Sequence, residues 1–332
     1  MRRVLLGGGG HAHAWLLNDS YGGPLAHPTT TTLVTPYPHH TYSGMLPGYV
    51  AGHYSAEEIR IDLAALCARA GAKLVIGKVA ALDASSRRAT LEGGSVLEYD
   101  VASLDVGSES AAPDGALAAK PFELFMDRWE AVRNDLRNLA VVGGGAAGVE
   151  MAMAAACRTQ AAVTLYSDRP MFRPGLAQRI ERQLAVRGVA LRKAAYAGEL
   201  HDLVIWTGGA FAPAWLRASG LATDERGFVL VDDTLRSVSH PEVFAAGDCA
   251  TLRDAPHPKS GVYAVRQAPV LAANLRGARK RFVPQRRALA LISCGARYAI
   301  ADWGGASWDG GWAWRWKDRI DRRWIAGFRT ST

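Results

Sequence analysis

Apolar residues gather in short runs of strand length, and two of those runs break abruptly into glycine. Val4-Leu5-Leu6 leads into Gly7-Gly8-Gly9-Gly10-His11-Ala12-His13. Leu139-Ala140-Val141-Val142 leads into Gly143-x-Gly145-x-x-Gly148 and then Val149-Glu150-Met151-Ala152-Met153-Ala154, the start of a helix. Buried strand, glycine turn and helix, in that order, form the context of a dinucleotide-binding turn. In the second copy Gly143 allows the tight turn, Gly145 lets a pyrophosphate approach backbone N–H groups, and Gly148 permits close packing of helix on strand. The first copy has two registers: Gly8-x-Gly10 with His13 in the third slot, which we prefer, or Gly7-x-Gly9 with Ala12 there. Two such turns about 135 residues apart point to two nucleotide sites facing each other.

Around the first turn the pattern predicts a helix from about His13 to Asn18, a strand Thr31–Val34, a helix Glu57–Ala70 stopped by Gly71, and a strand Lys73–Val79. Three short segments, Ala80–Asp83, Arg88–Leu91 and Val96–Tyr99, read as an antiparallel meander, and Val101–Val106 returns to a parallel sheet. The Ala/Pro-rich stretch Ser108–Lys120 reads as a junction. The second half repeats the grammar with strand Val163–Tyr166, helix Leu176–Val186, strand Val189–Leu191 and strand Leu203–Trp206. Only Ala194–Asp202 separates the last two strands, too little for a meander, so the second domain reads as trimmed. The fold class is α/β with two Rossmann-like domains. Residues 1–115 and 239–284 make up one domain, 116–238 the other, and 285–332 a C-terminal segment.

At 332 residues, 49% of them apolar, the chain can build two sizeable cores. The first strand starts at Val4 with no apolar stretch before it, which gives no signal peptide and a cytoplasmic expectation. Leu139–Cys157 is apolar but holds Glu150 and many small residues, unlike a membrane span. Cys67, Cys157, Cys249 and Cys294 lie far apart, so no local redox disulfide or structural zinc is indicated. Cys294 alone sits where it could approach a redox cofactor. His11 and His13 straddle the first turn, and His39 and His40 are adjacent; neither pair has metal-ligand spacing, and no metal is expected. The net charge of +8 belongs to the tail, where thirteen Lys/Arg from Arg276 onward face four Asp. No nucleic-acid-binding motif accompanies it, so nucleic acid is not expected as a partner.

The order of turn, meander, second turn and the late motif Val243-Phe244-Ala245-Ala246-Gly247-Asp248-Cys249-Ala250 resembles the FAD-dependent pyridine nucleotide-disulfide oxidoreductases, which share the glutathione-reductase fold. Tyr42-Ser43-Gly44-Met45-Leu46-Pro47-Gly48-Tyr49 and Pro258-Lys259-Ser260-Gly261-Val262-Tyr263-Ala264-Val265-Arg266-Gln267 are similar to the type II NADH dehydrogenase branch, and more closely to the NADH-dehydrogenase-like module fused to selenide, water dikinase. The resemblance implies FAD at the first turn, with Gly8, Gly10, His11, His13, Thr35, Pro36, Ser43, Gly247, Asp248, Gly261 and Val262 around it. Asp248 would take ribityl hydroxyls. The strand that should end in Asp or Glu for the adenosine ribose ends Val34-Thr35-Pro36, so the Thr35 hydroxyl or backbone groups must substitute. NAD(P)H is implied at the second turn, with Gly143, Gly145, Gly148, Ser167, Arg169 and Gly208. Ser167 followed by Asp168, Arg169 and Arg173 does not choose between NADH and NADPH.

Glu150 matches the family glutamate near the nicotinamide, with the helix N-terminal role as its alternative. Arg266 and Gln267 fall where the branch carries groups near a quinone, with a structural helix-start role as theirs. The resemblance thus implies an FAD-dependent NAD(P)H:acceptor oxidoreductase passing electrons to a quinone-like small molecule. The rival readings are a sulfide- or electron-carrier-linked reductase, or a non-catalytic flavin-binding partner in selenium metabolism. A homodimer is also open. In the tail, Trp312, Trp316, Ile320, Trp324 and Phe328 recur every four residues among cations, an amphipathic helix that either docks on the flavin domain or lies peripherally on the inner face of an anionic membrane.

Overall fold

The computed structural model describes residues 1–18, 29–170, 172–285 and 289–329; Arg286 and Arg287 of the basic tail lie outside it. Two five-stranded parallel sheets organise the described chain. The first runs Val243–Ala245, Val101–Leu104, Arg2–Gly7, Thr29–Thr35, Lys73–Ile76, and the second runs Leu117–Ala118, Leu203–Trp206, Asn138–Val142, Ala162–Tyr166, Ala190–Arg192. In each, the strand that feeds a glycine turn lies at the centre, where both faces are covered and Leu6, Leu33, Leu139 and Val141 are fully buried. The two sheets share one apolar cluster.

The meander forms as expected: Val79–Asp83, Arg88–Leu91 and Val96–Glu98 pair antiparallel beside the first sheet. Among the described residues no strand lies between Ala190–Arg192 and Leu203–Trp206, in keeping with a trimmed second half.

Two predicted elements are corrected. Glu57–Ala70 is not one helix but a 3-10 turn Glu57–Ile59, a strand Arg60–Asp62 paired antiparallel with His39–Thr41, and a helix Leu63–Ala70. Asp62 decides the break, because its carboxylate accepts the Ala65 N–H at 2.9 Å and caps the helix that begins after it. The strand expected over Lys73–Val79 stops at Ile76, and Val79 starts the meander.

The C-terminal segment adds an antiparallel sheet that the sequence pattern did not suggest, Ala290–Ser293, Ala299–Trp303 and Ala306–Gly310, followed by the helix Gly311–Ala326. That helix docks through a stripe one residue away from the aromatic one: Ala313, Asp321 and Ile325 are buried, with Lys317 between them. Trp312, Trp316 and Ile320 remain 46%, 44% and 42% exposed. Lys317 and Asp321 pair at 2.6 Å, which is how two charges sit on the docked face. Tyr54 OH donates to Asp318 at 2.7 Å, Tyr42 OH donates to Asp321 at 3.1 Å, and Asn18 Nδ2 donates to the Gly327 carbonyl at 2.6 Å, so the helix is held against the first domain.

Candidate functional site

The two glycine turns superpose residue for residue. Gly8 (φ +91°) and Gly143 (φ +122°) each follow the central strand in a left-handed conformation, and Gly10 and Gly145 each precede the first helical residue. The register of the first turn is therefore Gly8-x-Gly10-x-x-His13, with His13 at the position of Gly148. A Cβ on Gly148 would fall 1.7 Å from the Gly143 carbonyl oxygen, so that slot tolerates no side chain in the second turn.

In the first turn the side chain is accommodated by bonding it. His13 Nδ1 lies 2.6 Å from the Gly8 carbonyl and Nε2 lies 2.8 Å from Ser103 Oγ. A carbonyl only accepts, so Nδ1 carries the proton and Nε2 accepts from the hydroxyl. Burial pushes this imidazole down to about 4, and it is neutral. His13 thus belongs to the expected cofactor turn with its ring spent on holding that turn.

Beside the first turn lies a residue the sequence reading missed. Asp105 Oδ2 accepts the Ala12 N–H at 2.8 Å and, more weakly, the His13 N–H at 3.4 Å. Its carboxylate is wedged between two glycines, since a Cβ on Gly10 would lie 2.3 Å from Asp105 Cγ and one on Gly247 would lie 2.5 Å from Oδ1. Burial lifts its pKa to about 7, outweighing the two N–H bonds that favour the anion. Thr207 stands at the matching position of the second turn and donates its hydroxyl to the Val142 carbonyl at 2.9 Å. No local motif marks Asp105 or Thr207; each is brought in by the parallel register of Leu104 with Gly7 and of Trp206 with Val142.

Asp248 sits at the end of the Val243–Ala245 strand, and Oδ2 takes Lys120 Nζ at 2.7 Å and Ser108 Oγ at 3.3 Å. The N–H of Gly247 donates to Gln267 Oε1 at 2.7 Å, and Gln267 Nε2 lies 3.2 Å from His257 Nε2. Gln267 is 1% exposed with both ends of its amide engaged, an arrangement in keeping with the structural alternative, in which it fixes the Gly247-Asp248 motif. Arg266 is half-buried, and its Nη1 has no hydrogen-bond partner among the described residues.

Gly261 opens the helix Gly261–Leu275, and a Cβ there would lie 3.1 Å from Ser43 Oγ and 3.5 Å from His11 Nε2. His11, Ser43 and Gly261 are thus neighbours. His11 Nε2 is buried without a hydrogen-bond partner among the described residues, and burial pushes the ring down to about 4. Thr35 is buried, with Oγ1 2.9 Å from where a Gly9 Cβ would be, while Pro36 and Val262 are exposed.

The second turn opens on a cavity of about 220 Å³ lined by Gly144, Ser167, Asp168, Arg169 and Lys193 over an apolar floor that includes Leu165 and Ile180. Ser167 Oγ donates to the Arg169 carbonyl at 3.0 Å. Gly208 passes close by, its N–H nitrogen 3.0 Å from where a Gly143 Cβ would sit. Glu150 is half-buried on the helix after this turn, and Oε1 accepts the Ser293 N–H at 2.8 Å. Burial raises it to about 7, against the pull of Lys317, while Asp321 pushes the same way as burial. The docked C-terminal helix therefore supplies charges to the glutamate that follows the second turn.

These observations fit a flavin. The first turn, Gly247-Asp248 and Gly261 form a cradle of backbone where side chains would collide, and His11 aims an unused nitrogen at its edge. A model of the pyridine nucleotide-disulphide oxidoreductases matches residues 4–268, through both turns and the Gly247-Asp248 motif. The chain belongs to that family. Its cofactors are accordingly FAD and NAD(P)H, and the family's chemistry is oxidoreduction.

A NADH dehydrogenase-like protein of Mycobacterium tuberculosis is 30% identical over 237 residues, 58% of this chain and 59% of that protein. The NADH dehydrogenase-like protein YutJ of Bacillus subtilis is 20% identical over 294 residues, 81% of each. The sulfide:quinone oxidoreductase of Aquifex aeolicus has the same fold, with a TM-score of 0.78 at 15% identity over 99% of this chain and 92% of that one. The chain spans less than two thirds of the mycobacterial relative's length.

Proposed function

We propose that this protein is an FAD-dependent NAD(P)H:acceptor oxidoreductase that delivers electrons to a quinone-like small molecule. The observation that carries the proposal is the pairing of two matching glycine turns, one beside Gly247-Asp248 and the other followed by the half-buried Glu150. FAD, when bound, supplies hydride acceptance and onward electron transfer. The chain's part is to bind and orient. Gly10, Gly247 and Gly261 keep the first cradle clear of side chains, and Asp248 offers a carboxylate for ribityl hydroxyls. Gly143, Gly145 and Gly148 shape the second turn, with Ser167 and Arg169 at the adenosine end of its cavity. Reducing a quinone with NAD(P)H consumes one proton from solvent besides the hydride. Glu150, raised to about 7, can hold a proton near neutral pH.

A sulfide-linked reading draws on a reactive thiol, and two of the four cysteines are poorly suited to supply one. Cys249 and Cys294 are buried with thiols pushed up to about 12. The names of the Mycobacterium and Bacillus relatives also favour NADH-dehydrogenase-type activity.

The site of action is proposed to include a peripheral contact with an anionic lipid surface. Among the described residues no helix is long and apolar enough to cross a membrane, but Trp303, Trp308, Trp312 and Trp316 are all about half exposed near Arg315 and Arg319. The deciding experiment is anaerobic stopped flow. NADH or NADPH should bleach the bound flavin, and a quinone should restore its absorbance. Flavin that neither nucleotide reduces would overturn the proposal.

A further inference from the structure

Lys120 belongs to no motif of the sequence reading, yet it makes the shortest polar contact to the carboxylate at the centre of the flavin cradle. Its ammonium bonds Asp248 Oδ2 at 2.7 Å and Ser108 Oγ at 3.0 Å, and Ser108 Oγ closes the triangle to Oδ2 at 3.3 Å. Asp248 Oδ1 takes no hydrogen bond among the described residues. The three residues come from different places. Ser108 leaves the first sheet after the strand Val101–Leu104, Lys120 follows Leu117–Ala118 at the edge of the second sheet, and Asp248 follows the edge strand of the first. The triangle thus ties both ends of the 108–120 junction to the Gly247-Asp248 motif.

We propose that Lys120 is a positioning residue of the flavin site, one that holds Asp248 through Oδ2, leaves Oδ1 for a ribityl hydroxyl, and couples flavin occupancy to the segment entering the nicotinamide domain. This rests on the reading of the first turn as the FAD site. Electrostatics point the same way. The Asp248 side chain is only 12% exposed, and burial alone would push its carboxyl up, but the charge and hydrogen bond of Lys120, with the bond from Ser108, hold it below the ordinary range. Asp105 and Cys249 feel the charge of this carboxylate, and His11 feels the charges of both Asp248 and Lys120, which places the pair beside the first turn. Lys259, bonded to Thr251 Oγ1 at 2.8 Å, is the second cation near Asp248 but does not bond it. A bond between an ammonium and a partly desolvated carboxylate is of the strong, charge-assisted kind.

The test measures FAD binding by flavin fluorescence in the wild type, Lys120→Met, Lys120→Arg, Asp248→Asn and the double variant Lys120→Met/Asp248→Asn. Lys120→Met should raise the FAD dissociation constant about ten- to hundredfold, the range for losing a hydrogen bond to a charged group. Lys120→Arg should recover most of that loss. In the double variant the Lys120 substitution should cost less than about threefold, because the carboxylate it positions is gone. Equal affinity of wild type and Lys120→Met, or full additivity with Asp248→Asn, would overturn the proposal. A measurement on unaltered protein covers the case in which the variants do not fold. Lysine acylation read by mass spectrometry should slow about tenfold at Lys120 when FAD is added, and an unchanged rate there overturns the proposal too. A wild-type protein that binds no FAD would defeat the parent reading of the first turn, an outcome distinct from loss of the Lys120 role alone.

Discussion

Replacing the buried Asp105 by asparagine should make the protein more stable at pH 8 and leave it nearly unchanged at pH 4.5. The Asp105 carboxyl rises from its ordinary 3.8 to about 7 because burial disfavours the anion more than two N–H bonds favour it. With its folded pKa above its unfolded one, the folded protein binds more protons than the unfolded chain between pH 4 and pH 7. Stability from this group is therefore fully present below about pH 4 and is lost as pH rises through about 7. At about 1.4 kcal/mol for each tenfold change in proton affinity, the full effect is about 4 kcal/mol, and about 2–4 kcal/mol is the range to look for. Glu150, also raised to about 7, adds a loss of the same sign in both proteins, so the difference between wild type and Asp105→Asn isolates Asp105. The amide oxygen can still accept from Ala12 N–H, which keeps the low-pH cost small. Urea unfolding of flavin-free protein, followed by tryptophan fluorescence at pH 4.5 and pH 8, gives the four free energies required. Parallel pH dependence in the two proteins, or a larger loss for Asp105→Asn at pH 8 than at pH 4.5, would refute the reasoning and make the carboxylate a stabilising charged cap.

Three further outcomes are expected. Gly148→Ala, whose Cβ would meet the Gly143 carbonyl at 1.7 Å, should abolish NAD(P)H reduction of the flavin while FAD remains bound, checked by stopped flow and the flavin spectrum. A variant with all four cysteines replaced by Ser or Ala should still be bleached by NAD(P)H, because the thiols are unpaired and three of them are buried; loss of reduction with FAD retained would contradict this. Combined Trp312→Ser and Trp316→Ser, on the exposed face of the C-terminal helix, should remove sedimentation with anionic vesicles at low salt without releasing FAD, and wild-type binding should fall steeply as salt rises past the Debye regime.

Where local pattern and tertiary arrangement agreed, the sequence was legible. The two central strands, the glycine turns and the meander follow from period and turn chemistry alone, and the preferred register Gly8-x-Gly10 coincides with the observed positive φ at Gly8. It failed where long-range contacts assign the roles. Asp105, Lys120 and Thr207 carry no motif, and only strand register or the junction brings them to the turns. Gln267 was open to an acceptor or a structural role by position alone, and only the fold brings its amide to Gly247 and His257. The C-terminal helix misled for another reason. Its docked stripe contains Lys317 and Asp321, so hydropathy hid the face that packs, while the aromatic stripe packs only at its end, through Trp324 and Phe328, and leaves Trp312, Trp316 and Ile320 exposed.

The same backbone turn thus serves two sites with different third residues, and the difference has a physical consequence. Gly148 lets its helix approach the Gly143 carbonyl with nothing between them, whereas His13 spends a neutral ring on Gly8 and Ser103 and brings its helix start against a carboxylate. Among the described residues no carboxylate caps the first helical N–H groups of the second turn, whereas Asp105 satisfies two such groups in the first. A pyrophosphate approaching the first turn must share that space with an internal anion or find it protonated. On the proposed flavin reading, tight retention would fall more heavily on Asp248, on Lys120 behind it, and on the neighbours Gly261, Ser43 and His11 than on the glycine turn that first draws the eye.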